Sequence, residues 1–332
     1  MTGSFKYLHF LSDSPFLRPL AYRMLSADRL SRNPLYRHIY SRRIKGMQER
    51  RLAYPKTVAI EGTNACNSAC IMCGHKGMTR AQGVMPMELY ARILEQLKDW
   101  RLESLLLSGF GEPLLDPRLE ERIALAKARG FGNIGLVSNA SLLYPEKAAK
   151  LISAGLDLMH ISLDGATPET FHKLRPGLDH RTVIQNIDHI LSLSPRPRIF
   201  IQVVTLDANA EETTTLQKIW GPKADRLIFR QAQDWAGQVP LPDRQDSPHL
   251  MARKLWPPCL YLWDQMNIYW DGTVPSCCLD YEARQPLGNA AGQALVDIWQ
   301  GPVLKDLRQK HNAGQRDQLS LCRQCRYFSV WW

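Results

Sequence analysis

The sequence contains no uninterrupted apolar run approaching the ~20 residues that cross a bilayer. Its opening stretch, MTGSFKYLHFLSDSPF, lacks the basic, apolar and small-residue regions that order a secretory signal. A cytoplasmic protein without a membrane span is therefore expected. There is no internal repeat, and a composition of 45% hydrophobic and 22% charged residues excludes a largely disordered, collagen-like or low-complexity chain. The mean hydropathy of −0.29 is that of a soluble protein. At 332 residues the chain is long enough for one large domain, or a barrel with a small appendage, that buries about three quarters of its surface.

Acidic residues are scarce relative to basic ones: 32 Asp and Glu face 42 Lys and Arg, a formal charge of +10. Much of the excess lies between Arg18 and Arg51, where Arg23, Arg29, Arg32, Arg37, Arg42, Arg43, Lys45 and Arg50 are opposed only by Asp28 and Glu49. Leu17, Leu20, Met24, Leu25, Leu30, Leu35 and Ile39 recur there at roughly helical spacing. The segment is expected to form amphipathic helices packed on the main domain. Its basic face is read as solvated rather than as a nucleic-acid surface.

Cysteine is absent from a stretch of 185 residues and concentrated on either side of it. Cys66, Cys70 and Cys73 precede the gap, and Cys259, Cys277, Cys278, Cys322 and Cys325 follow it. Thiols in a reducing compartment do not form a disulfide framework, so two separate centres are expected. Between them, TVAIEGT, SLLLSG, NIGLVSN, DLMHISLDG, RIFIQVVTL and DRLIFRQ read as six strands, separated by segments with apolar residues at helical spacing such as PMELYARILEQLKDW, PRLEERIALAKARG and RTVIQNIDHILSL. Repeated βα units specify a parallel sheet with right-handed crossovers. Six units form an open, partial barrel whose functional loops lie at the carboxyl ends of the strands.

Cys66-Asn-Ser-Ala-Cys70-Ile-Met-Cys73 follows the first of these strands. Three thiolates in one loop leave a metal position open for an exogenous ligand, whereas a structural zinc or an ordinary iron–sulfur cluster takes four. Zinc completed by His75, or unreactive buried thiols, are the alternatives. With this loop the chain resembles the radical S-adenosylmethionine (radical SAM) superfamily. The resemblance implies a partial (β/α)6 TIM-like barrel and a [4Fe–4S] cluster on Cys66, Cys70 and Cys73. SAM would bind the open iron and be cleaved reductively to a hydrogen-abstracting 5′-deoxyadenosyl radical, with electrons from a flavodoxin- or ferredoxin-type donor.

The same resemblance assigns cofactor contacts along the rim. Met72 stands where the family often has an aromatic beside the adenine. In SGFGEPLL, Gly109 and Gly111 would let the backbone approach SAM, and Glu112 would accept from its ammonium group. Ser138, Asn139, Ser162 and Asp164 end the third and fourth strands, and Arg175 could pair with the SAM carboxylate. Arg230, beside Gln231 at the end of the sixth strand, is a further candidate. Asn139 and Asp164 also suit turn or cap chemistry, with Thr167 as an N-cap before Pro168.

Beyond a Pro- and Gly-bearing linker, MNIYWDGTVPSCC reads as a β-hairpin turning at Asp271-Gly272. Cys259, Cys277, Cys322 and Cys325 can converge on one tetrahedral site, for zinc or for a closed cluster. The spacing Cys259-x12-Gly272-x4-Cys277 and the segment at 287–311 resemble the SPASM/twitch extensions of radical SAM enzymes. Five cysteines imply one auxiliary [4Fe–4S] cluster, making two in all, with Cys278 a spare thiol. The expected organisation is a basic helical extension at 1–54, the barrel at 55–250 and the auxiliary-cluster module at 251–332.

The leading functional expectation is hydrogen abstraction from a small polar metabolite of sugar or aminocyclitol type, with the auxiliary cluster available as an electron acceptor for its oxidation. A ribosomal-peptide maturase and a non-enzymatic zinc protein with a nucleic-acid-binding arm are the alternatives. No general base stands out. Asp280 and Tyr261, then Asp264 and Asp234, fall in plausible segments.

Overall fold

A computed structural model describes residues 34–240 and 258–325. All six expected strands form, as β1 (Thr57–Ile60), β2 (Ser104–Leu106), β3 (Ile134–Ser138), β4 (Leu158–Ser162), β5 (Arg198–Thr205) and β6 (Arg226–Gln231). The helical patterns between them fold as α2 (Met87–Leu97), α3 (Leu119–Ala128), α4 (Pro145–Ala154), α5 (Pro168–Leu174), α6 (His180–Ser192) and α7 (Thr213–Trp220), after an N-terminal α1 (Pro34–Arg50). Thr167 caps α5 as expected, its hydroxyl accepting from the Thr170 N–H. Each strand from β2 to β6 lies parallel to its predecessor, so the right-handed crossovers carry the helices to one face and the sheet curls. On that covered face Met159, Ile161, Ile199 and Ile201 are wholly buried. His160 and Phe200, paired across β4 and β5, alternate to the other face and meet edge-on, their ring centroids 5.2 Å apart.

The hairpin expected at 266–278 is divided between two sheets. Its turn is present: Gly272 has φ +87° and donates to the Tyr269 carbonyl at 2.9 Å, while Tyr269 N–H donates to Thr273 O at 2.8 Å. The first arm, β7 (Gln265–Ile268), follows the short helix α8 (Tyr261–Asp264) and pairs in parallel with β1. A seventh strand thereby joins the sheet, in the order β6-β5-β4-β3-β2-β1-β7, from residues beyond 250. The physical reason is that β1 would otherwise present an unpaired edge of backbone donors and acceptors. The second arm, β8 (Thr273–Pro275), makes an antiparallel ribbon with β9 (Pro286–Asn289), followed by α9 (Leu295–Trp299) and α10 (Pro302–Asn312).

Of the basic extension, α1 turns Ile44 and Met47 into the main core. The earlier arginines, Arg18, Arg23, Arg29 and Arg32, lie outside the described residues, as does the linker at 241–257. Among the described residues no helix is long and apolar enough to cross a membrane.

A buried ion pair lies beside the carboxyl end of β1, next to Gly62. Arg122 Nε donates to Asp116 Oδ2 at 2.7 Å with both side chains at most 2% exposed, and the Tyr90 ring lies 5.2 Å from the guanidinium. Asp116→Ala leaves that guanidinium buried without its counter-charge and is expected to cost about 3–5 kcal/mol. Urea unfolding should show this as a lower midpoint with an unchanged slope. A cost below about 1 kcal/mol would mean that the pair contributes no more than a surface one.

Candidate active site and auxiliary centre

The loop bearing Cys66, Cys70 and Cys73 leaves β1 and is fastened along its length. Ala65 O accepts from Glu112 N–H at 2.8 Å, Ala69 N–H donates to Pro176 O at 3.0 Å, and Ile71 N–H donates to Leu174 O at 3.1 Å. Asn67 Oδ1 accepts from Asn139 Nδ2 at 2.9 Å, and Asn67 Nδ2 donates to Ser141 Oγ at 2.9 Å. The three sulfurs are therefore held by contacts from the ends of β2, β3 and α5. Ser68 Oγ lies 3.1 Å from Cys70 Sγ, and Arg175 Nη1 reaches the same sulfur at 3.5 Å. Burial pushes the Cys66 thiol up, and pushes Cys73 up to about 11.

Of the expected rim contacts, several find partners within the chain. Glu112 is 3% exposed. Its Oε1 accepts from Ser138 Oγ at 2.7 Å and Leu114 N–H at 3.1 Å, and its Oε2 accepts from Asn139 N–H at 2.7 Å. One acceptor position on Oε2 remains for a further donor. Burial raises the carboxyl above the usual range, so an incoming cation is what it lacks. Asp164 is fully buried. It accepts from Val204 N–H at 2.7 Å through Oδ1 and holds Arg175 Nη2 2.6 Å from Oδ2 in a close ion pair rather than an aligned hydrogen bond. Met72 is buried against Leu174, Leu206 and Ala232, and Ser162 is buried at the end of β4. Arg230 ends β6 exposed to solvent.

Gly109 and Gly111 leave no space for a side chain: a Cβ on Gly109 would stand 2.4 Å from the Glu61 carboxylate, and one on Gly111 would stand 2.4 Å from Thr63 O. The room they make is filled by the chain's own first strand and loop, because the carboxyl ends of β1 and β2 are adjacent.

Glu61 itself escaped the sequence reading. It is 1% exposed, accepts from Phe110 N–H at 2.9 Å, and takes both Arg80 amino groups at 3.1 and 3.2 Å. The Arg80 guanidinium lies 3.8 Å over the Tyr269 ring, and its Nε donates to Tyr281 O at 2.6 Å. A carboxylate within an otherwise apolar strand, TVAIEGT, was the available signal. Phe110, Trp235, Tyr269 and Tyr281 cluster above it, and Trp235 Nε1 donates to Met72 O at 2.7 Å. Thr79 donates to Glu282 through N–H and hydroxyl at 2.6 and 2.8 Å. The segment after Cys277 is thereby clamped onto the loop after Cys73.

Cys259, Cys277, Cys322 and Cys325 line one cavity, with Tyr261, His311 and Arg316 among its other walls. Cys278 does not line it. Burial pushes Cys259 up to about 12 and raises Cys322 as well, while the Cys278 hydrogen bond and then burial raise Cys277. Among the described residues no three His, Cys, Asp or Glu side chains stand close enough to share one metal ion. His75, the alternative fourth zinc ligand, has Nε2 2.8 Å from Asn64 O and must donate there.

The base candidates separate by location. Asp280 is fully buried and caps a turn through the Arg284 and Gln285 N–H groups, both at 2.9 Å; burial raises it. Tyr261 belongs to the auxiliary cavity. Asp264, pushed up to about 6 by burial, immediately precedes β7, and its carbonyl accepts from Lys56 N–H at 3.0 Å. It therefore sits at the amino ends of the strands, away from the rim. Asp234 accepts from Gln238 N–H through its backbone carbonyl at 2.9 Å.

A parallel partial barrel with a three-cysteine loop after its first strand, and a five-cysteine module docked above it, is the arrangement of an iron–sulfur protein. Residues 60–218 match the family model of the radical SAM superfamily, and 259–326 match SPASM, an iron–sulfur cluster-binding domain. The chain belongs to the radical SAM superfamily and carries a C-terminal SPASM domain. A Pyrococcus furiosus protein described as tungsten-containing aldehyde ferredoxin oxidoreductase cofactor-modifying protein is 32% identical over 110 residues, 33% of this chain and 31% of that one. The chain spans about a third to a half of the length of the curated relatives it matches. The structure of BtrN in complex with AdoMet and 2-DOIA aligns with a TM-score of 0.60 at 17% identity, covering 83% of this chain and 94% of BtrN. Streptococcus suis SuiB bound to precursor peptide SuiA aligns with a TM-score of 0.65 at 16% identity, covering 93% of this chain and 83% of SuiB.

SAM and iron–sulfur clusters, implied by the family, fit the residues present. Arg175 Nε is buried without a hydrogen-bond partner beside the cysteine loop, as an incoming carboxylate would require. Buried thiols of raised pKa lack the positive charge that a metal centre supplies.

Proposed function

We propose that this radical SAM enzyme removes hydrogen from a small polar metabolite of sugar or aminocyclitol type, with an auxiliary [4Fe–4S] cluster accepting the second electron. The observation that carries the reading is the single cavity walled by Cys259, Cys277, Cys322 and Cys325. Four thiolates close a cluster to direct substrate binding, leaving electron transfer as its available chemistry. Support comes from the BtrN structure, whose second small ligand is 2-DOIA and which this chain covers almost completely.

Held by Cys66, Cys70 and Cys73, the open cluster with SAM supplies one-electron chemistry for hydrogen-atom abstraction. Around it, Arg175 Nε would receive the SAM carboxylate, with Asp164 fixing the guanidinium plane. Glu112 Oε2 would accept from the ammonium group, while Ser138 and Asn139 hold that carboxylate in place. Met72 offers a polarisable apolar surface for the adenine. The packed Phe110, Trp235, Tyr269 and Tyr281 rings would help to keep water from a bound substrate. A flavodoxin- or ferredoxin-type protein would deliver the initial electron.

The second reading, modification of a ribosomal peptide, is favoured by the extent of the SuiB match. Both are tested by incubating the anaerobically reconstituted full chain with SAM and a reductant. Aminocyclitols and sugars should elicit substrate-dependent 5′-deoxyadenosine and a product lighter by two hydrogens. Turnover with peptides alone would replace the first reading by the second.

A further inference from the structure

We propose that His311 is a positioning residue of the auxiliary centre: it donates a hydrogen bond from Nε2 to the sulfur of Cys322 and thereby raises the centre's reduction potential. The inference rests on the auxiliary-cluster reading above. It follows from two contacts on opposite sides of one ring. Cys259 N–H lies 3.2 Å from His311 Nδ1, and a backbone N–H can only donate. Nδ1 must therefore present its lone pair, and the proton of the neutral imidazole resides on Nε2. Nε2 in turn lies 3.4 Å from Cys322 Sγ. One imidazole thus joins the backbone of one cluster cysteine to the sulfur of another.

The surroundings keep this tautomer in place. His311 is 2% exposed and occupies the last turn of α10, whose Leu304 and Leu307 enter the main core. Rotation of the ring would break both contacts at a side chain that bulk solvent scarcely reaches. Arg316 lines the same cavity and is 6% exposed, so the charge nearest the ring is positive. A carboxylate facing Nε2 would have competed for the proton, but among the described residues none lines the cavity.

An N–H directed at a cysteine sulfur draws electron density from the iron–sulfur bond. The reduced cluster carries one more negative charge than the oxidised one, so the donor stabilises it more and the potential rises. That shift suits a centre that receives an electron from substrate. It is also a consequence that a purely space-filling imidazole would not have.

The test uses the full chain carrying Cys66, Cys70 and Cys73→Ala, so that the auxiliary cluster alone contributes to the spectrum. An EPR-monitored redox titration compares this parent with His311→Leu and His311→Gln variants of it. The leucine variant should titrate at a lower potential, and glutamine, which retains an N–H donor, should return part of the shift. A fully loaded leucine variant with the parent's potential overturns the proposal. If that variant fails to take up iron, the decision passes to the parent labelled with [15N]histidine. Pulsed EPR of its reduced cluster should resolve coupling to one imidazole nitrogen, and an absence of 15N coupling overturns the proposal. A parent that carries zinc, or no iron, overturns the auxiliary-cluster reading and the inference with it, a result distinct from an unchanged potential.

Discussion

Replacing Cys66, Cys70 and Cys73 together by alanine is expected to reduce SAM cleavage to background and to remove about four iron atoms per chain, while the C-terminal iron remains. The expectation rests on position as much as on residue type. These thiols share one loop, held at Ala65, Asn67, Ala69 and Ile71 by three other parts of the barrel, and Arg175 and Glu112 stand beside it with donor or acceptor capacity unused. None of those anchoring bonds involves a cysteine side chain, so the loop should keep its path in the triple variant and the loss should be chemical. Anaerobic iron analysis and chromatographic detection of 5′-deoxyadenosine read the two effects separately. Undiminished 5′-deoxyadenosine would remove these cysteines from the catalytic centre.

Cys322 and Cys325→Ala should produce a different loss. SAM cleavage is expected to persist while oxidised product falls to a small fraction of the wild-type yield, because the barrel and its cysteine loop are intact and only the electron acceptor is gone. Stability is the competing effect, since a metal that joins Cys259, the β8–β9 ribbon and the Cys322–Cys325 turn contributes to folding. The apolar contacts around Ala236, Leu279 and Leu321 and the Thr79–Glu282 clamp are independent of that metal, and they are expected to keep the module docked. Circular dichroism and gel filtration must show a folded monodisperse chain before the assay is read. A folded double variant that lacks the centre and still makes oxidised product at the wild-type rate would overturn the redox role.

The local chemistry of this fold was legible because period and spacing are properties of neighbouring residues. All six βα strands declared themselves by short β-branched or apolar runs, and the cysteine loop by three thiols within eight residues. The turn at Gly272 was legible for the same reason. What its two arms would pair with was not. β7 has the alternation of a hairpin strand, and only the open edge of β1, more than two hundred residues earlier in the chain, decides that it completes the barrel sheet.

The site divides along the same line. The family resemblance nominated Glu112, Asp164 and Arg175, but the bonds that orient them come from Asn139, Val204 and Cys70, on other strands and loops. Glu61 was overlooked because one acid in an apolar strand has no periodicity; its meaning appears when Arg80 and the Phe110 N–H close around it. At Gly109 and Gly111 the fold adds a demand that spacing does not reveal, close packing against β1 and its loop that admits no Cβ. By itself the sequence determined which elements form and which residues can bind metal, since propensity and ligand chemistry act within a few residues. The tertiary structure decided which carboxylates are spent within the chain, which edge β7 joins and which nitrogen of His311 carries the proton, because burial, hydrogen-bond direction and sheet edges exist only once distant segments meet.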